Sequence, residues 1–136
     1  MRCAHAPTVL VMAVLACTVL GCERDDDVDI RINNDRAFIL EAEVFNENED
    51  DTYHWTTVLE VARVTFQGKN FHGSARVKIY GTDGVEIFDA QYSNFSHGDF
   101  QETHFTSVNT PGVWRIRIEV FNLTGEYKLI VDDAVL

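Results

Sequence analysis

Hydrophobic and polar residues alternate with a period of two through most of this chain, and the places where they do not define its organisation. Phe38, Leu40, Ala42 and Val44 share one parity, with Glu41 and Glu43 on the other. Ala75, Val77 and Ile79 alternate with Arg76 and Lys78, and Trp114, Ile116, Ile118 and Val120 alternate with Arg115, Arg117 and Glu119. Val28, Ile30 and Ile32 repeat the pattern against Asp29, Arg31 and Asn33, and Tyr127, Leu129 and Val131 close it. Such a period belongs to strands with one face in a core and the other in water. Residues 52–66, TYHWTTVLEVARVTF, are rich in Thr, Val and aromatics but change phase, as a bulge or two strands would. Gly81-Thr82-Asp83-Gly84 has the composition of a tight hairpin turn, with VEIFDAQY as the returning strand. About eight short strands separated by turn signals predict an all-β fold, a single antiparallel β-sandwich over residues 30–136.

The first 21 residues break the pattern. From Thr8 to Gly21 the chain is an apolar run of 14 residues behind one positive residue, Arg2. As a helix it would span about 21 Å, short of the roughly 30 Å of a bilayer's hydrocarbon core. A positive start, a short apolar run and a small residue at its end describe a cleaved helical signal peptide. Val19-Leu20-Gly21-Cys22 resembles the lipobox of bacterial lipoproteins, with Val19 where Leu is commonest. The resemblance implies cleavage between Gly21 and Cys22, a diacylglycerol on the Cys22 thiol and an acylated (palmitate-type) new amino terminus. Val14-Leu15-Ala16-Cys17 matches as well, but cleavage there would strand apolar Thr18 to Leu20 on the mature chain. Each buried methylene adds about 0.8 kcal/mol of membrane affinity, and a single chain holds only marginally, so two or three chains are what make an anchor durable. The expected layout is a lipoprotein signal peptide over 1–21, a lipidated cysteine and acidic tether over 22–29, and the β-sandwich over 30–136. Cys3 and Cys17 would leave with the leader, so neither a disulfide nor a disulfide-linked partner is expected. The implied location is the cell envelope, anchored to a membrane and facing the periplasm or the exterior.

Charge narrows the partners. The formal net charge is −11, and −12 once Arg2 departs with residues 1–21. An acidic surface repels both phosphate backbones and anionic head groups, which excludes nucleic acid and leaves membrane attachment to the lipid.

Thr110 to Asp132, TPGVWRIRIEVFNLTGEYKLIVD, resembles the closing hairpin of bacterial prepeptidase C-terminal (PPC-like) and related jelly-roll accessory domains. Gly112, Trp114, Ile116, Gly125, Tyr127 and Leu129 carry that resemblance. It implies a β-sandwich that accompanies secreted enzymes or binds partners, and it transfers no catalytic residue.

Candidate chemistry is sparse. Glu47, Glu49, Asp50 and Asp51, within Asn46–Asp51, are hard oxygen ligands of the kind calcium takes. Their spacing is not that of an EF-hand, so the segment reads as a solvated loop with calcium as its alternative. His54, His72, His97 and His104 lack the close spacing of a zinc site, although His97 and His104 could meet across a hairpin. Ser74, Ser93, Ser96 and Ser107 have no neighbouring base and no nucleophile-elbow motif. Arg76, Lys78, Arg115 and Arg117 would line one outer sheet face if their strands pair, with Glu86 and Glu119 placed to neutralise them. Tyr53, Trp55, Tyr80 and Tyr92 are either a sugar-stacking platform or core. Asn94-Phe95-Ser96 and Asn122-Leu123-Thr124 match the glycosylation sequon, which has little meaning in a bacterium. The expectation is a lipid-anchored extracytoplasmic binding or structural module without catalytic activity. The alternative is a calcium- or carbohydrate-binding accessory domain assisting a secreted or envelope enzyme. The expected partner is an envelope protein or a glycan; no cofactor is expected, calcium excepted.

Overall fold

The computed structural model describes residues 27–134, without the side chains of residues 95–97. Five strands form one antiparallel sheet: β1 (Asp27–Asn34), β2 (Ala37–Thr57), β3 (Ala62–Tyr80), β4 (Glu86–Phe105) and β5 (Gly112–Asp133). Their spatial order is β1-β2-β5-β3-β4. Four of them run 19 to 22 residues, two or three times the expected length.

The count falls from eight to five because the breaks in alternation are bends, not turns. Register slips between Val44 and Glu49 in β2, between Gly68 and Ser74 in β3, and opposite both in β5. Three asparagines adopt left-handed backbone at this line: Asn46 (φ 51°), Asn70 (φ 51°) and Asn122 (φ 45°). Asparagine tolerates that conformation because its short amide bonds locally. Gly125, at φ 133°, goes further: a Cβ there would lie 2.4 Å from the carbonyl oxygen of Asn70. β5 therefore bends at Asn122–Gly125 but continues as one strand where a hairpin turn was expected, and no closing hairpin forms from Thr110 to Asp132. Residues 52–66 do hold two strands, separated at Val58–Val61.

The bend line folds the sheet back on itself as a β-sandwich. Phe66, in the first half of β3, stacks on Tyr92 of β4 at 4.2 Å between centroids, and Phe38 meets Tyr53 at 5.8 Å. Trp55 and Trp114, in register on adjacent strands, meet edge to face at 5.6 Å, and both are fully buried. Their indole N–H groups donate to the carbonyls of Asn34 (2.6 Å) and Thr110 (2.9 Å). Every inward parity read for β2, β3 and β5 is buried, from Phe38–Val44 through Ala75–Ile79 and Trp114–Val120 to Tyr127–Val131. The Gly81–Gly84 turn forms as expected, closed by Gly81 N–H to the Val85 carbonyl at 2.9 Å.

β1 departs from expectation. It begins at Asp27, inside the stretch read as tether, and Asp27, Val28 and Asp29 pair with Glu43, Ala42 and Glu41. All eight of its residues are exposed, Val28, Ile30 and Ile32 included. The folded-over half of the sheet ends at β2, so no described residue covers β1 from the second layer.

Candidate functional site

Strand alternation turns two polar faces outward, one on each half of the folded sheet. On the first half, Asp29, Glu41, Lys128, Gln67 and Gln101 stand side by side in register across all five strands. Beside them runs a second row of Asp27, Glu43, Glu126 and Lys69. The two rows line a trough of about 490 Å³. Its floor is the sheet backbone at Ala42, Tyr127 and Gly68, whose positions face the core on the other side. Neighbouring strands lie about 4.8 Å apart, so the trough extends roughly 19 Å from β1 to β4.

Hydrogen bonds already order these side chains. Gln67 Nε2 donates to Gln101 Oε1 at 3.0 Å. Arg31 Nε donates to Glu41 Oε1 at 2.9 Å, and its Nη1 lies 3.1 Å from Asp29. Lys128 reaches Glu41 from the other side at 3.4 Å. The Arg31 guanidinium, with help from Lys128, holds the Glu41 carboxyl below its ordinary range against partial desolvation. The trough thus offers amide, carboxylate and cationic groups in one plane, donors and acceptors interleaved.

The outer face of the second half carries the four cations the sequence placed there. Lys78 stands opposite Arg117, Tyr80 opposite Arg115, and Arg76 opposite Glu119. Arg76 forms a bidentate pair with Asp89 (2.9 and 2.8 Å). Arg117 does the same with Asp50 (2.9 and 2.7 Å) and also reaches Glu119 at 3.2 Å. Neutralisation therefore comes mainly from Asp89 and Asp50, with Glu119 secondary and Glu86 acting on Arg76 only through space. Arg115 lies over the Tyr80 ring at 4.9 Å.

The acidic segment is part of a strand rather than a loop. Alternation sends Asp50 outward to Arg117 and turns Glu49 and Asp51 to the opposite face, while Glu47 sits at the bend opposite Leu123. Desolvation, then the neighbouring Glu49, pushes the Asp51 carboxyl above its ordinary range. No group of three or more His, Cys, Asp or Glu converges to hold a metal among the described residues. His54 lies opposite Arg115, His72 at the bend opposite Thr124, and His104 3.5 Å from Glu102. The His97 side chain lies outside the described set, as do Cys22, Gly21 and the whole apolar run.

The aromatic candidates resolve mostly to core. Trp55 and Tyr92 are buried, Tyr53 packs on Phe38, and only Tyr80 faces outward, under Arg115. They form no shared platform. Sequence reasoning missed the trough residues, Gln67, Gln101 and Lys128 among them. The outward parity of Lys128 was readable from Tyr127 and Leu129, whereas that of Gln67 and Gln101 was not, and nothing in the sequence says that β5 inserts between β2 and β3.

No protein-family model matches the chain, and no curated protein matches it. Solved structures do. One is the enzymatically active domain of tailspike protein 4 of bacteriophage CBA120, 13% identical with a TM-score of 0.46, covering 79% of this chain. This chain spans only 17% of that one. A second is the CBM36-1 domain of a multidomain xylanase from the hindgut metagenome of Trinervitermes trinervoides, 13% identical, TM-score 0.46, over 82% of this chain and 100% of that one. A third is the carbohydrate binding module CBM6cm-2 of Cellvibrio mixtus lichenase 5A in complex with cellotriose, 8% identical, TM-score 0.44, over 79% and 87%. Likeness at this level assigns this chain neither a ligand nor an activity.

Proposed function

We propose that this chain is a non-catalytic binding module for a hydroxyl-rich ligand, a glycan, held outside the cytoplasm by lipid on Cys22. The carrying observation is the trough across the first half of the sheet. Its interleaved amides, carboxylates and cations suit sugar hydroxyls, each of which donates one hydrogen bond and accepts others. Its length suits an extended oligosaccharide rather than a single small molecule, and its openness suits a ligand that enters along a chain. The side chains are preordered by one another, which lowers the entropy lost on binding.

The anchor rests on the Val19–Cys22 motif. From Cys22 to Asp27 the chain can reach at most about 18 Å, so the anchor would keep the trough close to the membrane surface.

Titration of the full chain against immobilised oligosaccharides tests the binding. Gln67→Ala and Gln101→Ala are expected to weaken the best ligand about tenfold each without lowering thermal stability. Unchanged affinity in both would overturn the trough as the site. Intact-mass measurement of the membrane-extracted protein tests the anchor: acyl mass on Cys22 supports it, and an unmodified thiol removes it.

A further inference from the structure

Among the described residues β1 is an edge strand with one uncovered apolar side. Val28 and Ile30 pair with Ala42 and Leu40, which are core positions of β2, yet they remain 40% and 44% exposed. An open edge of this kind is a template for pairing with another chain, and proteins usually guard it with charged side chains, lysine above all, with proline or with a bulge. β1 contains neither lysine nor proline, and its charges, Asp27, Asp29 and Arg31, are of both signs. Its bulge, between Ile30 and Ile32, guards only the second half of the strand.

The charges on the other side of the strand say what fits. Asp27, Asp29 and Arg31 succeed one another there. Antiparallel pairing centred on Asp29 sets Val28 of each copy opposite Ile30 of the other and Arg31 opposite Asp27, so that two ion pairs flank one Asp29–Asp29 contact. Parallel in-register pairing would set like charge on like at all three positions, which is unfavourable across strands. The edge is thus complementary to itself under a two-fold axis, the requirement for an isologous contact.

We propose that β1 pairs with β1 of a second copy of this chain, joining two sheets into one and closing Val28 and Ile30 of each copy against those of the other. The trough ends on β1 at Asp27, Asp29 and Arg31, so the joint makes it continuous from one copy to the next. Anchoring both copies in one membrane would raise their effective concentration and favour the pair. The contact stands independently of what the trough binds.

Sedimentation of the full chain in detergent, with no glycan present, tests it. The unaltered chain is expected to dimerise in the micromolar range. Arg31→Asp leaves the strand with three acids, and the double variant Asp27→Arg/Asp29→Arg leaves it with three bases; each alone is expected to be monomeric. Their equimolar mixture is expected to recover a dimer containing one of each. Because these side chains are exposed, circular dichroism should show both variants folded; if either fails to fold, Val28→Asn/Ile30→Thr provides the same loss of dimer. An unaltered chain that stays monomeric at its solubility limit, variants that dimerise undiminished, or a mixture that remains monomeric would each overturn the proposal.

Discussion

Asn48 holds Asn122 at two points: its side-chain oxygen accepts the Asn122 backbone N–H at 3.0 Å, and its amide nitrogen donates to the Asn122 side-chain oxygen at 3.1 Å. This grip sits on the line where the sheet folds, with Asn122 in left-handed backbone. Asn122→Ala removes both the conformational tolerance and a partner. The former is worth about 1–2 kcal/mol and a hydrogen bond roughly 1 kcal/mol, so a loss of about 2 kcal/mol is expected in urea unfolding. Asn122→Gly keeps the backbone conformation accessible and is expected to lose less.

Gly125→Ala is expected to cost more than Asn122→Ala. The new methyl would meet backbone, the Asn70 carbonyl at 2.4 Å, and backbone cannot rotate away as a side chain can. Loss above about 3 kcal/mol, or failure to fold, is the expected result. Folding with unchanged stability would show that the bend does not need this close approach.

Tyr92 stacks on Phe66 inside the core, and its hydroxyl has no hydrogen-bond partner among the described residues. Tyr92→Phe keeps the stack and removes a desolvated polar group, so a gain of about 1 kcal/mol is expected. Burial, then Glu102, pushes the Tyr92 hydroxyl up to about 12, and burial with Asp51 and Glu49 does the same at Tyr53. A phenol whose folded pKa is raised contributes stability that is fully present below its unfolded value, about pH 10. That contribution is lost as pH rises through 12. Alkaline unfolding should therefore set in between these values, and Tyr92→Phe should blunt it.

Carboxylates divide into two groups with opposite signs. Asp50, Asp89 and Glu41 are held below their ordinary range by hydrogen bonds from Arg117, Arg76 and Arg31. Their contribution is fully present above about pH 4–4.5 and is lost as pH falls through the lowered values. Arg117→Gln is expected to raise the pH of acid unfolding, and salt should shrink the difference. Asp51 runs the other way, because its raised pKa gives stability at low pH that is lost as pH rises. Asp51→Asn should then raise Tm at pH 7, on the order of 2 °C, and leave it unchanged at pH 3.

Trp55 and Trp114 are the two tryptophans of the chain, both buried and in contact. Folded protein should emit at short wavelength and shift to the red on unfolding. Trp55→Ala should lose roughly 3–5 kcal/mol, since it empties the centre of the core and leaves the Asn34 carbonyl without its donor.

The sequence by itself determined the all-β class, the inward and outward parity of residues 38–44, 75–79, 114–120 and 127–131, and the Gly81–Gly84 hairpin. Those are local properties: a side-chain period of two shows in any five residues, and left-handed turns need glycine or asparagine. Tertiary structure alone decided that the breaks at Asn46, Asn70 and Asn122 are bends in continuous strands, because a bend and a turn use the same residues and differ only in which strand pairs next. It also decided the order β1-β2-β5-β3-β4, which sets Gln67, Gln101, Lys128 and Glu41 side by side although they lie far apart in the chain. And it left Val28 and Ile30 exposed, because covering an apolar strand depends on what lies opposite in the other layer, and among the described residues none lies opposite β1.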